Sequence, residues 1–500
     1  MGAGEASPRP AGSGADRRND LARATIAIAG AGASTAVLER VSPVTGDVVS
    51  RVAASSVVEA RHAANVAASA FPAWSRTAPM DRRAVLERAA GILLDRSRDF
   101  AAAIGDETGG TADWADLNCR LAASILREAA AMTTQIGGEV IPSDRAGSLS
   151  LAVRRPCGVV LSLAPWNAPL VLGVRGIAMP LACGNTVVFK ASELCPRTHA
   201  MIGEVFAEAG LPAGVVSVVH NAADEAGEIV ECLIAHPAVR RVTFTGSTRA
   251  GRVVAELCAR HLKKVLLELG GKAPMIVLDD ADIDEAVKAA TFGAFFNQGQ
   301  ICMSTERVLV HDDVADAFVE KFAARARTLK AGDPRIGRFA LGPMIGEQAA
   351  QRVRAMIDDA VAKGARLIVG GRLDGAFLDA AVVDGLTPSM RLYYEESFGP
   401  VASIIRFTDI DEAVSIANDT EYGLAAAVFG RDITRALAVA ERLETGICHI
   451  NAATIQDEPQ MPFGGMKSSG YGRFGGRAGI EEFTELRWIS IQSGKQEYPL

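Results

Sequence analysis

Residues 158–190, GVVLSLAPWNAPLVLGVRGIAMPLACGNTVVFK, have the pattern of one strand–helix–strand unit. The apolar runs Gly158–Ala164 and Thr186–Lys190 have the length of buried strands, and residues 171–182 between them fit a helix. A strand, a helix and a second strand in this order predict a βαβ unit, in which the two strands are parallel.

The same alternation continues along the chain, on both sides of residue 270. Further apolar runs of strand length lie at Val215–His220, Val242–Thr245, Val265–Leu269, Pro274–Leu278, Arg307–His311, Ala402–Phe407 and Gly446–Asn451. Helices fit between the earlier runs at residues 196–209, 224–235 and 247–261. We therefore expect an α/β protein with mainly parallel sheets. Because no Ser/Gly-rich linker separates the two series, we expect two domains that meet tightly near residue 270.

The part of the chain before residue 158 has a different pattern. Residues 42–130 have helical periodicity, because Val57–Trp74 and Asp81–Arg98 carry apolar residues three and four positions apart. Residues 1–20 are rich in Gly, Ala, Pro, Ser and Arg. This composition predicts a disordered extension, which leads into a first strand near Ala24–Ala29.

The composition is that of a globular protein and argues against several functional classes. Of the 500 residues, 49% are hydrophobic and 22% are charged, and the net charge is -7. This charge gives no reason to expect a nucleic acid or an anionic membrane as a partner. The chain has no run of about 20 apolar residues, so no membrane-spanning helix is expected.

The eight cysteines and seven histidines are scattered along the chain. No two cysteines form a Cys-x-x-Cys pair, and the histidine spacing matches no metal site. This usage predicts reduced thiols, a cytoplasmic location and no bound metal. Arg17-Arg18 before an apolar stretch faintly resembles a twin-arginine export signal. Asp20 and Arg23 interrupt that pattern, so we favour the cytoplasm.

Two short motifs could bind the phosphates of a dinucleotide. Gly30-Ala31-Gly32 is the weaker one, because Thr35 occupies the third glycine position and no βαβ unit surrounds it. Phe244-Thr245-Gly246-Ser247 is the stronger one, because Gly246 follows a strand and the next helix offers free N–H groups. Ser247 could bond a phosphate oxygen there, or it could only cap the helix.

Lys190 and Glu193 follow the end of another predicted strand. In a Rossmann-type sheet, an acidic residue at such a position can bind the hydroxyls of a ribose and repel a 2′-phosphate. The alternative is that both side chains are solvated surface charges, because that is the usual fate of charged residues.

Three residues could carry out covalent chemistry on a carbonyl group. Cys302 follows the glycine-containing turn Phe296–Ile301, where neighbouring dipoles could lower its pKa and make it a nucleophile. Glu268 ends a predicted strand and is a candidate general base, while the Asn167 amide could donate to an oxyanion. The alternative for Cys302 is a buried thiol of the core.

These residues lie in motifs that together resemble the aldehyde dehydrogenase superfamily over about residues 35–500. The matching strings are APWNAP at 164–169, KASE at 190–193, FTGS at 244–247, LELGGK at 267–272, GQIC at 299–302, ESFGP at 396–400 and PFGG at 462–465. Residues 1–20 match nothing in the family. The LELGGK and GQIC strings are the most specific, and they contain Glu268 and Cys302.

The resemblance implies a domain organisation and an oligomeric state. A Rossmann-type NAD-binding domain would comprise residues 21–137 and 158–268, and an α/β catalytic domain would comprise residues 269–483. A small β element that mediates oligomerisation would comprise residues 138–157 and 484–500. We therefore expect a homodimer or a homotetramer.

The resemblance also implies a role for each matching residue. Cys302 would attack the aldehyde, the Asn167 amide would hold the oxyanion, and Glu268 would activate the water that hydrolyses a thioester. The presence of Glu268 favours release of a free carboxylic acid over transfer to coenzyme A. NAD would be preferred over NADP, and the residues expected to bind it are Trp166, Lys190, Glu193, Gly246, Ser247, Glu396 and Phe398.

Within the superfamily, the chain is most similar to salicylaldehyde, vanillin and benzaldehyde dehydrogenases. The strings that carry this likeness are LGVR at 172–175, ICMSTER at 301–307 and PFGGMKSSGYGRFGGR at 462–477. They imply an aromatic aldehyde as substrate, in a channel lined by Leu172, Arg175, Ile301, Met303 and Phe463. Arg175 could bind a ring oxygen, or it could form a structural salt bridge. The alternatives are an aliphatic or broad-specificity aldehyde dehydrogenase and a non-catalytic member of the fold.

Overall fold

The structure is a computed structural model that describes residues 36–496 and 498–499. The extension expected at residues 1–20, the strand expected near Ala24–Ala29 and the motif Gly30-Ala31-Gly32 lie outside these residues. All eight cysteines lie within them, and each is a free thiol.

Helices cover the sheets and account for much of the chain. They are α1 (Val57–Trp74), α2 (Pro79–Asp95), α3 (Ser97–Thr108), α4 (Ala112–Met132), α5 (Pro169–Ala182), α6 (Pro196–Glu208), α7 (Ala226–Ala235), α8 (Thr248–Arg260), α9 (Ile283–Phe295), α10 (Asp312–Arg327), α11 (Glu347–Ala362), α12 (Arg391–Tyr394), α13 (Ile410–Asn418), α14 (Ile433–Ala440) and α15 (Gly476–Glu482). Among the described residues, no helix is both long and apolar enough to cross a membrane.

The described part of the chain begins with a hairpin of strands β1 (Val37–Val41) and β2 (Val48–Ala53), which pair in antiparallel fashion. The prediction that residues 42–130 are helical is therefore wrong for β2, although it is confirmed for α1 to α4. The sequence of β2, VVSRVA, is rich in valine, which favours strands because its branched side chain packs well on a pleated surface.

The first large sheet contains the βαβ unit of residues 158–190. Its strands are β5 (Val159–Leu163), β6 (Thr186–Lys190), β7 (Val216–Val219), β8 (Val239–Thr245), β9 (Lys264–Glu268) and β19 (Gly470–Tyr471), in the spatial order β19-β9-β8-β5-β6-β7. All neighbours are parallel except β19, which is antiparallel to β9. From β5 the chain adds β6 and β7 on one side, and then adds β8 and β9 on the other side of β5. Ligands of such sheets bind at the carboxyl ends of the strands where this change of side occurs, here β5 and β8.

The second large sheet confirms the second series of predicted strands. Its strands are β10 (Ala273–Val277), β11 (Thr305–His311), β12 (Arg366–Val369), β15 (Ala381–Asp384), β16 (Val401–Phe407), β17 (Ala425–Phe429) and β18 (Ile447–Ile450), in the order β12-β15-β16-β11-β10-β17-β18. A two-stranded hairpin, β13 (Leu373–Asp374) with β14 (Phe377–Leu378), lies beside it. The sequence analysis missed β17, because its three alanines favour a helix in isolation.

A three-stranded antiparallel sheet is formed by the residues expected to mediate oligomerisation. It contains β3 (Gly138–Ile141), β4 (Ser148–Pro156) and β20 (Thr484–Gln492), in the order β20-β4-β3. Several of its large apolar side chains lie in solvent, among them Trp488 at 77% and Val140 at 70% exposure. The domain limits also differ in one detail from the expectation, because β19 falls within residues 269–483 but belongs to the first large sheet.

Candidate active site

The three candidate catalytic residues meet between the two large sheets. Asn167 follows β5, Glu268 ends β9, and Cys302 lies in the turn before β11. A short connection, residues 269–272, joins β9 in the first sheet to β10 in the second. A Cβ atom on Gly271 would lie 2.2 Å from the carbonyl oxygen of Cys302, so only glycine allows this connection to approach the Cys302 turn.

The turn that carries Cys302 is held by hydrogen bonds from its own side chains. Asn297 and Gln298 lie in the left-handed region, with φ of 48° and 55°. Such residues persist only where their surroundings hold them. Here the Asn297 side chain donates to the carbonyl oxygen of Asn167 at 3.2 Å, and the Gln298 side chain donates to that of Pro343 at 3.0 Å. These bonds fix Cys302 relative to the loop that follows β5.

Asn167 is buried, and its backbone and side chain are both constrained. The Trp114 ring nitrogen donates to the Asn167 carbonyl oxygen at 3.0 Å, and the Asn167 amide nitrogen donates to the carbonyl oxygen of Gln300 at 3.1 Å. A side-chain amide has two N–H groups. Within the described residues, the Asn167 amide nitrogen therefore has one N–H group without a partner.

Glu268 is 1% exposed, and within the described part of the chain its carboxylate oxygens accept no hydrogen bond from a nitrogen or oxygen donor. Burial raises its pKa to about 8, because the carboxylate form loses its hydration. Arg175 lowers this pKa, and Asp457 and Glu396 raise it. The neighbouring Cys302 thiol acts on the carboxylate as a hydrogen-bond donor and also lowers its pKa. Glu268 therefore titrates close to neutral pH, as a general base should.

Cys302 is half-buried, and burial raises the pKa of its thiol well above the usual value. The carboxylates of Glu268 and Glu396 raise it further, while Arg175 lowers it. The expectation that neighbouring dipoles lower this pKa is therefore wrong for this structure, because the nearby negative charges and the loss of hydration outweigh them. A thiolate here requires a group that accepts the proton.

Lys190 and Glu193 form an ion pair beyond the carboxyl end of β6. Lys190 is 8% exposed, which excludes the alternative that it is a solvated surface charge. Glu193 also accepts a hydrogen bond from the Asn221 side chain at 2.8 Å. Both side chains are therefore held in place at the strand end, where a nucleotide would bind.

Gly246 and Ser247 lie at the carboxyl end of β8, directly before α8. The Ser247 hydroxyl accepts a hydrogen bond from the N–H of Ala250 at 3.3 Å, so it caps the helix. The capping alternative is thus present, but Ser247 is also exposed. Apart from that of Ala250, the N–H groups at the start of α8 remain open to a phosphate.

Glu396 and Phe398 lie in one loop on the second sheet's side of the site. A Glu396 carboxylate oxygen accepts a hydrogen bond from the N–H of Gly271 at 2.9 Å. Burial, followed by the charge of Glu306, raises the pKa of Glu396 to about 7. The Phe398 ring packs edge-on against Trp166, with centroids 5.9 Å apart. This loop therefore closes against the loop that carries Asn167.

Four of the five candidate substrate residues lie in the hydrophobic cluster against which Cys302 packs. They are Leu172, Ile301, Met303 and Phe463, and all four are buried. Arg175 is an exception, because its guanidinium forms a buried ion pair with Asp457 and lies 4.4 Å from the centroid of the Phe463 ring. The salt-bridge alternative for Arg175 is therefore present in the structure.

Sequence reasoning missed four residues that hold this site: Trp114, Asn297, Glu306 and Asp457. Asp457 lies in a stretch without regular structure, and no spacing rule connects it to Arg175. Asn297 and Glu306 lie in or beside recognised motifs. The sequence gives no chemical reason to assign either of them to the site, because their roles depend on hydrogen-bond partners that only the fold brings together.

Comparison with known proteins identifies the family. A sequence model described as the aldehyde dehydrogenase family matches residues 31–489. The chain belongs to the aldehyde dehydrogenase family. It is 60% identical over 462 residues to a vanillin dehydrogenase from Pseudomonas fluorescens, covering 92% of this chain and 96% of the relative. It is 40% identical over 461 residues to an NAD(+) benzaldehyde dehydrogenase from Pseudomonas putida, covering 92% and 94%.

A solved structure of the same family confirms the expected fold. The crystal structure of a salicylaldehyde dehydrogenase from Pseudomonas putida G7, complexed with salicylaldehyde, is 46% identical to this aldehyde dehydrogenase. The two structures match with a TM-score of 0.92 over 94% of this chain and 98% of that one. The resemblance inferred from the motifs is therefore confirmed for the family and the fold.

The pH dependence of this aldehyde dehydrogenase should follow the pKa of Glu268. A general base must be ionised to accept a proton, so thioester hydrolysis should accelerate with rising pH up to about 8. Glu268→Gln should slow steady-state turnover roughly 10²- to 10⁴-fold and leave one burst of NADH. The burst itself should also be slower than in the wild type, because the Cys302 thiol loses a neighbouring proton acceptor. Rapid mixing with absorbance detection measures both phases, and Glu256→Gln on the exposed face of α8 is the control. Unchanged steady-state turnover in Glu268→Gln would show that another group activates the water.

Proposed function

We propose that this protein oxidises aromatic aldehydes to carboxylic acids with NAD as its cofactor. The observation that carries the proposal is the meeting of Cys302, Glu268 and Asn167 at one point between the two sheets. The apolar surroundings of Cys302 and the aromatic substrates named for the vanillin, benzaldehyde and salicylaldehyde relatives support the substrate class.

In the first step, the sulfur of Cys302 bonds to the carbonyl carbon, and its proton passes to a neighbouring base. Glu268 is the buried carboxylate beside this thiol; it receives the proton and releases it to solvent before the hydrolysis step, so that it is ionised again. The carbonyl oxygen becomes an oxyanion, which accepts hydrogen bonds from the free N–H of the Asn167 amide and from the Cys302 backbone. The product of this step is a thiohemiacetal on Cys302.

Bound NAD would supply the hydride acceptor for the thiohemiacetal carbon, and Cys302 would then carry the acyl group as a thioester. Water then attacks the thioester, and Glu268 accepts a proton from it. The carbon–sulfur bond breaks, the carboxylic acid leaves, and the Cys302 thiol is restored. Hydrogen bonds hold Asn167 and the turn that carries Cys302 in position, and strand β9 places Glu268 at its carboxyl end.

The residues at the strand ends suit NAD. Lys190 and Glu193 would hold the adenine ribose, the open N-terminus of α8 after Gly246 would take the pyrophosphate, and Glu396 would bind the nicotinamide ribose. Trp166 and Phe398 would pack near the nicotinamide end. The carboxylate of Glu193 would repel a 2′-phosphate, so we expect NAD to be preferred over NADP.

The test of the proposed function is an assay of NADH formation across aromatic and aliphatic aldehydes, with NAD and NADP as alternative cofactors. We expect the highest kcat/KM for aromatic aldehydes with NAD. Cys302→Ala should abolish turnover, because no nucleophile remains, while calorimetry still detects NAD binding. A preference for short aliphatic aldehydes would contradict the substrate class, and retained turnover in Cys302→Ala would contradict the nucleophile.

Arg175 should contribute to the choice among aromatic aldehydes through a ring oxygen. A charge-assisted hydrogen bond is worth about 1.5–3 kcal/mol, so Arg175→Leu should lower kcat/KM for salicylaldehyde or vanillin roughly 10- to 100-fold. The substitution also leaves Asp457 unpaired beside Glu268 and so changes turnover of every substrate. Benzaldehyde, which has no ring oxygen, corrects for that common effect. A ratio of the two losses near one would mean that Arg175 has only a structural role.

We further propose that residues 138–157 and 484–500 assemble the protein into a homodimer or homotetramer, with residues 21–137 and 158–268 binding NAD and residues 269–483 carrying the nucleophile. Exposed apolar side chains on β3 and β20, Val140 and Trp488 among them, support this assembly. Strand β20 is also an edge strand that can pair with another chain. A monomeric mass in analytical ultracentrifugation at micromolar concentration would contradict it.

A further inference from the structure

A buried ion pair between Lys272 and Glu306 lies directly behind the loop that carries Glu396 and Phe398. Lys272 ends the connection from β9 to β10, and Glu306 lies on β11. Their side chains are only 1% and 4% exposed. Two buried charges destabilise a protein unless further hydrogen bonds satisfy them.

The further side-chain hydrogen bonds of this pair go to the backbone of one loop. Both carboxylate oxygens of Glu306 accept from the N–H of Ser397 at 2.9 Å, and one of them also accepts from the N–H of Phe398 at 3.1 Å. The Lys272 ammonium donates to the carbonyl oxygen of Glu395 at 2.7 Å. The pair therefore holds residues 395–398 by hydrogen bonds to their main chain.

These hydrogen bonds hold a loop whose backbone is strained. Phe398 has a φ of 47°, in a region that a residue with a bulky side chain rarely adopts. Arg352 adds hydrogen bonds to the carbonyl oxygens of Glu396 and Ser397 from the outside of the loop. The position of Phe398 is therefore imposed by its partners, chiefly by the carboxylate of Glu306.

We propose that Glu306 and Lys272 are positioning residues for the cofactor. They hold Glu396 and Phe398 where the nicotinamide end of NAD binds, and they tie this loop to the segment that carries Glu268. The inference rests on the proposed function, because it takes Glu396 and Phe398 to contact NAD. A pair that only stabilised the core would not direct its hydrogen bonds to one strained loop, since apolar side chains of the same volume would stabilise a core as well or better.

The decisive variants are Glu306→Gln, Lys272→Met and the double variant. Glu306 accepts hydrogen bonds from the Lys272 ammonium on one side and from the N–H groups of the loop on the other. The amide of Glu306→Gln also carries N–H donors, so in either orientation it places donors against donors and repels one of these two partners. We expect NAD to bind more weakly and the NADH burst to slow, each roughly 10- to 100-fold, because small displacements of reacting groups have effects of that size. In the double variant the Lys272 ammonium is gone, so the amide can turn its N–H groups away from the loop without repulsion. The loss of NAD affinity in the double variant should therefore be smaller than the product of the losses in the two single variants.

Asp384→Asn is the matched control for loss of a buried carboxylate. Asp384 is fully buried on β15 and pairs with Arg366 and Arg406, away from the 395–398 loop. It should lower the Tm of the protein while leaving NAD affinity and the burst rate at wild-type values. Glu306→Asp keeps the charge but shortens the side chain, so it should weaken NAD binding even if Glu306→Gln does not fold.

Calorimetric titration of NAD into each variant separates this inference from the proposed function, because it needs no aldehyde. Weaker binding in Glu306→Gln or Glu306→Asp, but not in Asp384→Asn, supports the positioning role. Wild-type NAD affinity and burst rate in a folded Glu306 variant, or losses equal to those of Asp384→Asn, overturn it. If the wild-type protein binds NAD but forms no NADH with any aldehyde, the proposed function fails while the binding comparison remains valid.

Discussion

Residues 269–272 join the two large sheets at the site, and this connection depends on the close approach of Gly271 to the carbonyl group of Cys302. Residues 269–272 leave the first sheet at Glu268 and enter the second at Ala273, and no side chain larger than hydrogen fits at Gly271. Because this connection is so short, a carboxylate that ends one sheet must lie beside a cysteine that precedes a strand of the other. Hydrogen bonds from Asn297 and Trp114 then fix the third loop, which carries Asn167.

The same junction concentrates buried charge, and this charge sets the chemistry of the site. Glu268 and Glu396 raise the pKa of the Cys302 thiol, and burial raises the pKa of both carboxyl groups to about 8 and about 7 respectively. The site therefore holds groups that exchange protons near neutral pH, where general acid–base catalysis is most effective. Arg175 lowers the pKa of Glu268, but its partner Asp457 raises it. Glu306 raises the pKa of Glu396, and its partner Lys272 lowers it.

Local patterns predicted most of the regular structure, but they failed where pairing decides conformation. The apolar runs of strands β5 to β11 have the length of buried strands, and the predicted bounds agree with the observed ones within one to three residues; the largest difference is at the start of β8. Strand β2 lies next to helical segments and exists because β1 pairs with it. Strand β17 is three alanines followed by valine and phenylalanine, and it is a strand because β10 and β18 pair with it on either side. Cross-strand pairing of this kind is not visible in a window of a few residues.

The sequence alone determined the family and the parallel α/β architecture, and its short contiguous motifs singled out Cys302, Glu268 and Asn167 as the candidate catalytic residues. Only the tertiary structure decided the partners of those residues: Asp457 beside Arg175, and Glu306 beneath Phe398, are distant in the chain and belong to no common motif. It also decided the protonation of the site, where a thiol expected to be acidic has a raised pKa. The physical reason is that a motif specifies which groups are present, whereas a pKa depends on burial and on charges that only the folded chain brings together.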